Sequence, residues 1–120
     1  MRFLIMINDN PHAFTGMTDE QMQAFGRRHL ALSDRLAESG ELVVSEGLAN
    51  ASLAHTVAVR DGRALTSDGP FAEAKEHLAG FYLVDVASLE RAVEIAAEVP
   101  DAELAEVEVR PVLDMSTWED

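Results

Sequence analysis

The 120-residue chain contains no cysteine, which excludes a disulfide, a thiolate metal site and a cysteine nucleophile. A cysteine-free composition suits the cytoplasm, and that is the location it predicts. No apolar run approaches the length that crosses a bilayer. The run at residues 3–7 is too short for a secretory leader core and lacks a small-residue cleavage site, so no membrane association is expected. Positive charge is scarce: nine basic residues stand against 22 acidic ones, for a formal net charge of −13. Phosphate backbones are held by clustered Lys and Arg, and the densest basic group is only Arg27-Arg28-His29, so direct nucleic-acid binding is not expected. The acidity reads as a solvated surface. Histidines 12, 29, 55 and 77 show no paired ligand spacing, which predicts no metal site. No nucleophile elbow, phosphate loop or dinucleotide fingerprint occurs, and no cofactor is expected.

What remains is one domain, residues 1–120, with 48% hydrophobic residues and no internal repeat. Residues 2–8 read as a strand with apolar side chains on both faces: Phe3, Ile5 and Ile7 on one, Leu4 and Met6 on the other. Such a strand is central in its sheet. Thr18-Asp19-Glu20-Gln21 fits a capping box and opens a helix. Met22, Phe25, His29, Leu32 and Leu36 recur at spacings of 3, 4, 3 and 4 on one face of it, and Gly40 follows its end. A strand over 41–48 comes next. Residues 55–60 and 63–66 flank Asp61-Gly62, the strongest hairpin signal in the chain. Asp68-Gly69 then stops the strand, and Pro70 suits the first position of a short helix over 70–76, with Phe71 as an apolar anchor. Residues 78–86 form a second two-faced central strand. Ser88 caps a second helix whose apolar face is read as Leu89, Ala92, Val93 and Ala96, and Pro100 stops it. A last strand over 104–112 alternates valine with charge, as an edge strand does.

Leaving the hairpin aside, the order strand-helix-strand-strand-helix-strand is the split βαβ pattern of a ferredoxin-like α+β fold. Two helices cover one sheet face, so a second copy is expected to bury the other, which predicts a homodimer.

The stretch Asp68-Gly69-Pro70-Phe71-Ala72-Glu73-Ala74-Lys75-Glu76 resembles the YCII-related proteins, in particular their DGPF-type branch. Residues 68–86 are similar to the pattern DGPFAETKEQLGGYYLIDV, departing at Ala74, His77, Ala79, Phe81 and Val84. Ser45-Glu46-Gly47-Leu48, Val59-Arg60-Asp61-Gly62-Arg63 and Val107-Glu108-Val109-Arg110-Pro111-Val112 resemble the family as well, so the likeness covers nearly the whole chain. It implies a dimeric α+β barrel, with two sheets packed face to face. Arg27-Arg28-His29-Leu30, followed by Gly40, is similar to a region of wider relatives in which a His–Asp pair has been proposed as an active site.

A lone histidine in an apolar stripe is more often a packed core or interface residue; the resemblance makes His29 a candidate acid or base. In those relatives the aspartate lies in an Asp-Pro after the second helix. Here that place reads Val99-Pro100, with Asp101 one residue late. A partner carboxylate would come from Asp68, Glu73 or Asp101. Asp68 is favoured because its loop leads into a central strand, although an aspartate there also fits a plain turn residue. Helix-terminal N–H groups behind Pro70, from Phe71 onward, with Arg60, Arg63 and Lys75, suit a small anionic ligand, while ordinary surface charge explains each cation singly. Glu73 and His77 are spaced to pair. A wider relative that resembles a dehydrochlorinase implies elimination, isomerisation or dehydrochlorination on a small organic substrate. The rival reading is a non-enzymatic accessory or regulatory protein, because DGPF-type proteins are associated with extracytoplasmic-function sigma factors. Trp118, the only tryptophan, is expected to cover the dimer or the barrel end.

Overall fold

A computed structural model describes residues 1–9, 14–70 and 77–117. The elements run β1 (Arg2–Asn8), α1 (Asp19–Glu38), β2 (Leu42–Gly47), β3 (His55–Arg60), β4 (Arg63–Asp68), β5 (Leu78–Asp85), α2 (Leu89–Glu98) and β6 (Val107–Pro111). Four strands form one antiparallel sheet in the order β2-β5-β1-β6, and β3 with β4 forms a separate hairpin. This is the ferredoxin-like arrangement, with the hairpin inserted between β2 and β5. The two strands with apolar residues on both faces, β1 and β5, are central, and β6 is an edge.

Helix α1 begins where its chemistry dictates. The Thr18 hydroxyl accepts from the Gln21 N–H at 3.1 Å and the Gln21 side chain accepts from the Thr18 N–H at 2.8 Å, which satisfies two otherwise orphaned donors. Its stripe is buried unevenly. Leu32 and Leu36 are fully packed, whereas Met22 is exposed and Phe25 and His29 are half-buried. The first half of the helix therefore stands over a space rather than on the core.

Helix α2 departs from its expected face. Ala92, Ile95, Ala96 and the following Val99 are buried, while Leu89 and Val93 lie about half exposed. The buried set repeats at i, i+3, i+4 and i+7 and continues through Val99; Leu89 and Val93 occupy a neighbouring row. The last strand is also shorter than expected. Pro100 opens a 3₁₀ turn, Pro100–Glu103, and its ring holds Val99 extended (φ −66°, ψ 123°), which delays β6 to Val107.

Phe3, Ile5, Ile7, Tyr82 and Val84 share the sheet face beneath the helices, and all are buried. Each fully buried large apolar side chain contributes about 1.5–3 kcal/mol. Leu4 pairs with Leu83, Leu83 with Val44, and Met6 with Phe81 on the opposite face, which no described element covers. The shortest extent of the molecule, 20 Å, fits two layers.

The hairpin turns at Asp61 (φ 51°) and Gly62 (φ 74°), two consecutive left-handed residues as the Asp-Gly pair requires. Its Val57, Val59 and Leu65 are more than half exposed. Gly69 (φ 86°) bends the chain out of β4, and its N–H is bound by the Ala54 carbonyl at 2.7 Å. Residues 71–76 of the expected short helix, with Phe71, Glu73 and Lys75, and Trp118 lie outside the described residues.

Candidate functional site

A cavity of about 360 Å³ opens between the first half of α1, the sheet and the 3₁₀ turn after α2. Two glycines create its floor. Gly47 and Gly80 face each other across β2 and β5, and Gly80 shares the covered face with Tyr82, so no side chain fills the space beneath α1. Gly80 is required there: an added Cβ would stand 3.0 Å from the Glu46 carbonyl oxygen and 3.4 Å from the Gly47 Cα. Phe14, His29 and Tyr82 line the cavity. An aromatic row of edge contacts, Phe14 to Phe25 and Phe25 to His29, each at 5.3 Å, steadies the imidazole. The ring is nearly parallel to Tyr82, with centroids 5.9 Å apart.

His29 meets a carboxylate, and it is Asp101. Nε2 lies 2.6 Å from the Asp101 carboxylate, with the two side chains only 26% and 17% exposed. The expected partner, Asp68, sits at the end of the hairpin, 3.1 Å from His55 and almost wholly in solvent. The Pro100 turn brings this carboxylate to α1 although Asp101 lies 72 positions from His29. Buried Val99 and Pro100 anchor the chain, and the tight turn swings the following residue back to α1. A forked ion pair beside it fixes the same approach: Arg28 donates to both Glu103 oxygens, at 3.1 and 2.6 Å. That hydrogen-bonded contact lowers the Glu103 carboxyl and raises the Arg28 guanidinium.

On the other ring nitrogen, the Tyr82 hydroxyl lies 2.6 Å from Nδ1 and 3.3 Å from the His29 carbonyl. Burial pushes the Tyr82 phenol up, a hydrogen bond from Ser33 pulls it down, and the Asp101 charge raises it further. The Ser33 and Ser45 hydroxyls meet at 3.2 Å and tie α1 to β2 at the cavity wall. Tyr82 escaped the candidate set, although a signal was present. A tyrosine on the helix-covered face of a central strand needs a polar partner for its hydroxyl.

Two further candidates among the described residues, Arg60 and Pro70, lie elsewhere. Arg60 is at the hairpin tip, donating to its own neighbour's carbonyl at 2.9 Å, and neither Arg60 nor Pro70 lines the cavity. Asp9, Glu46 and Asp101 do, and among the described residues no Lys or Arg joins them. No group of three or more His, Asp or Glu side chains among the described residues is placed to hold a metal. No helix among them is long and apolar enough to cross a membrane.

The fold is similar to that of 5-chloro-2-hydroxyhydroquinone dehydrochlorinase from Burkholderia phenoliruptrix, solved in complex with 2,5-dihydroxybenzoquinone. The TM-score is 0.52 at 17% identity, covering 97% of each chain. An uncharacterised protein of Rhizobium meliloti is 31% identical over 114 residues, which is 93% of this chain and 92% of the relative. The profile of the YCII-related domain matches residues 1–116, and the chain belongs to that family.

Proposed function

We propose that this protein binds a small hydroxylated organic molecule in the α1 cavity and performs cofactor-free acid–base chemistry on it: elimination, isomerisation or dehydrochlorination. The observation that carries the reading is the His29–Asp101 pair at 2.6 Å on the wall of a cavity of ring-sized volume. An imidazole held by a carboxylate has a fixed orientation and a fixed tautomer, which a directed proton transfer requires. The dehydrochlorinase with a similar fold supports the same class of chemistry.

The cavity's charge refines the ligand. Asp9, Glu46 and Asp101 repel a carboxylate-bearing molecule; of the cations expected to attract one, Arg60 and Arg63 stand at the hairpin tip and Lys75 lies outside the described residues. Hydroxyl groups on an uncharged ring suit these acceptors better. Placement in the DGPF-type branch rests on Asp68-Gly69-Pro70-Phe71, and a sigma-factor partner rests on the resemblance alone. A homodimer that packs the two bare sheet faces together is supported by the uncovered Leu4, Leu83 and Val44.

The test is a thermal-shift screen of hydroxylated quinones, halogenated phenols and small carboxylates on wild type and His29→Ala. A probe at about a hundred times its dissociation constant stabilises by roughly 2.7 kcal/mol. A shift with hydroxylated rings that disappears in the variant is the expected result. Equal shifts in both proteins, or none in either, would refute the placement of the site.

A further inference from the structure

We propose that the group exchanging a proton with the ligand is the Tyr82 hydroxyl, and that His29 acts behind it as the proton reservoir. This rests on the acid–base reading above and specifies its route. An imidazole has two nitrogens, and protein groups hold both: Asp101 at 2.6 Å on Nε2 and Tyr82 at 2.6 Å on Nδ1. A ligand that touches the exposed part of the ring therefore meets carbon, unless it displaces one of those partners. Neither is free to leave. Tyr82 is 3% exposed in the middle of β5, paired with Ile5 and Ser45, and Asp101 is fastened by the Pro100 turn.

The hydrogen positions follow from the partners. A carboxylate only accepts, so Nε2 carries the hydrogen and the neutral ring offers a bare Nδ1, to which the Tyr82 O–H donates. Tyr82 is among the residues lining the cavity, and with Ser33 donating to its oxygen one lone pair remains for a ligand hydroxyl. A ligand hydroxyl can then pass its proton to the Tyr82 oxygen while the Tyr82 proton moves to Nδ1. One O–H bond breaks on the ligand, one is exchanged on Tyr82, and one N–H forms. The products are the ligand's oxyanion and an imidazolium paired with Asp101, with the phenol restored. In that state Nδ1–H donates to the Tyr82 oxygen, and the Tyr82 hydrogen turns to the His29 carbonyl, 3.3 Å away. Burial raises the Tyr82 phenol, which accords with a hydroxyl that holds its proton at rest.

Two measurements decide it. Nitrogen-15 spectra of the histidine-labelled, ligand-free protein at neutral pH should show His29 protonated on Nε2 and bare at Nδ1. The Nδ1 resonance should move in Tyr82→Phe, while His55, an exposed internal control, stays put. A hydrogen on Nδ1 in the neutral ring, or an Nδ1 resonance indifferent to Tyr82→Phe, overturns the relay whatever the ligand proves to be. Chloride release from 5-chloro-2-hydroxyhydroquinone is the second readout. Tyr82→Phe should lower kcat about 10²-fold or more with KM little changed, and Tyr82→Phe/His29→Ala should be no slower than His29→Ala alone, as for groups acting as a unit. A Tyr82→Phe variant within about threefold of wild type, beside an inactive His29→Ala, would put the ligand directly on His29 and overturn the relay. No chloride release from wild type counts against the dehydrochlorinase reading instead, and the spectra then decide the relay by themselves.

Discussion

Replacing Glu41 by Gln should cost stability at neutral pH and almost none in strong acid. Glu41 sits just ahead of β2 at a junction of four elements. Its N–H is bound by the Leu36 carbonyl at the end of α1, and its own carbonyl accepts from the Asp85 N–H at the end of β5. Arg91 of α2 clasps its carboxylate with Nε at 2.8 Å and Nη2 at 2.9 Å, and the Ser39 hydroxyl adds a third donor at 2.9 Å. The Arg91 hydrogen bonds, against the opposing effect of burial, hold the Glu41 carboxyl down at about 2, from an ordinary value of 4.5. Arg91 is raised by the same contact, but it is charged throughout the accessible range, so the interaction is counted once.

A shift of that size corresponds to a ceiling of roughly 3.4 kcal/mol. Arg91 is 37% exposed and Glu41 19%, and water screens the pair, which brings the expected value to roughly 1–2 kcal/mol. The sign is set by the folded state holding the proton less tightly than the unfolded chain. The contribution is complete above about pH 4.5 and is lost as the pH falls toward 2. Urea unfolding of wild type and Glu41→Gln at equal protein concentration, at pH 7, 5 and 3, isolates this group, because the other carboxylates titrate in both proteins. The gap between them should be full at pH 7, nearly full at pH 5 and clearly smaller at pH 3. A gap below about 0.3 kcal/mol at pH 7, or one that does not change with pH, would refute the clasp as a source of stability.

The two floor glycines should respond oppositely to added side chains. A Cβ on Gly47 meets nothing within 4 Å, so Gly47→Val should fold normally while filling the cavity and abolishing any ligand-induced thermal shift; retained binding would move the site elsewhere. Gly80→Ala would crowd backbone atoms at 3.0 and 3.4 Å and should destabilise by about 1–3 kcal/mol, read as a lower urea midpoint; unchanged stability would show that β2 yields easily. For the proposed dimer, light scattering should give twice the 13.1 kDa of one chain, and Leu83→Glu, which buries a charge between the sheets, should give monomers. A wild-type mass of one chain would refute the face-to-face packing.

Much of the fold was legible because its signals are local. The capping box at Thr18, the Asp61-Gly62 turn and the two-faced apolar pattern of β1 and β5 each act within a few residues, and each stands where its chemistry puts it. The face of α2 was harder to read, since a ten-residue helix with alanine, valine and isoleucine on adjacent rows satisfies more than one apolar stripe. Only packing on the sheet separates Ile95 from Val93.

The site was half legible, and the illegible half was geometric. His29 announced itself as a polar residue in an apolar stripe; its carboxylate did not, because a partner 72 positions away is chosen by a turn rather than by a spacing. Asp68 looked better placed only while the chain was treated as a line. In space, the hairpin carries Asp68 off into solvent, and the 3₁₀ turn sets Asp101, the residue after Pro100, against His29. A turn opened by Pro100 and held near α1 by Arg28–Glu103 can adjust how its carboxylate reaches the imidazole. Tyr82 has no such freedom: on a central strand a one-residue shift would carry its ring to the opposite sheet face. Of the three groups at this site, it is the phenol whose position the architecture determines most tightly.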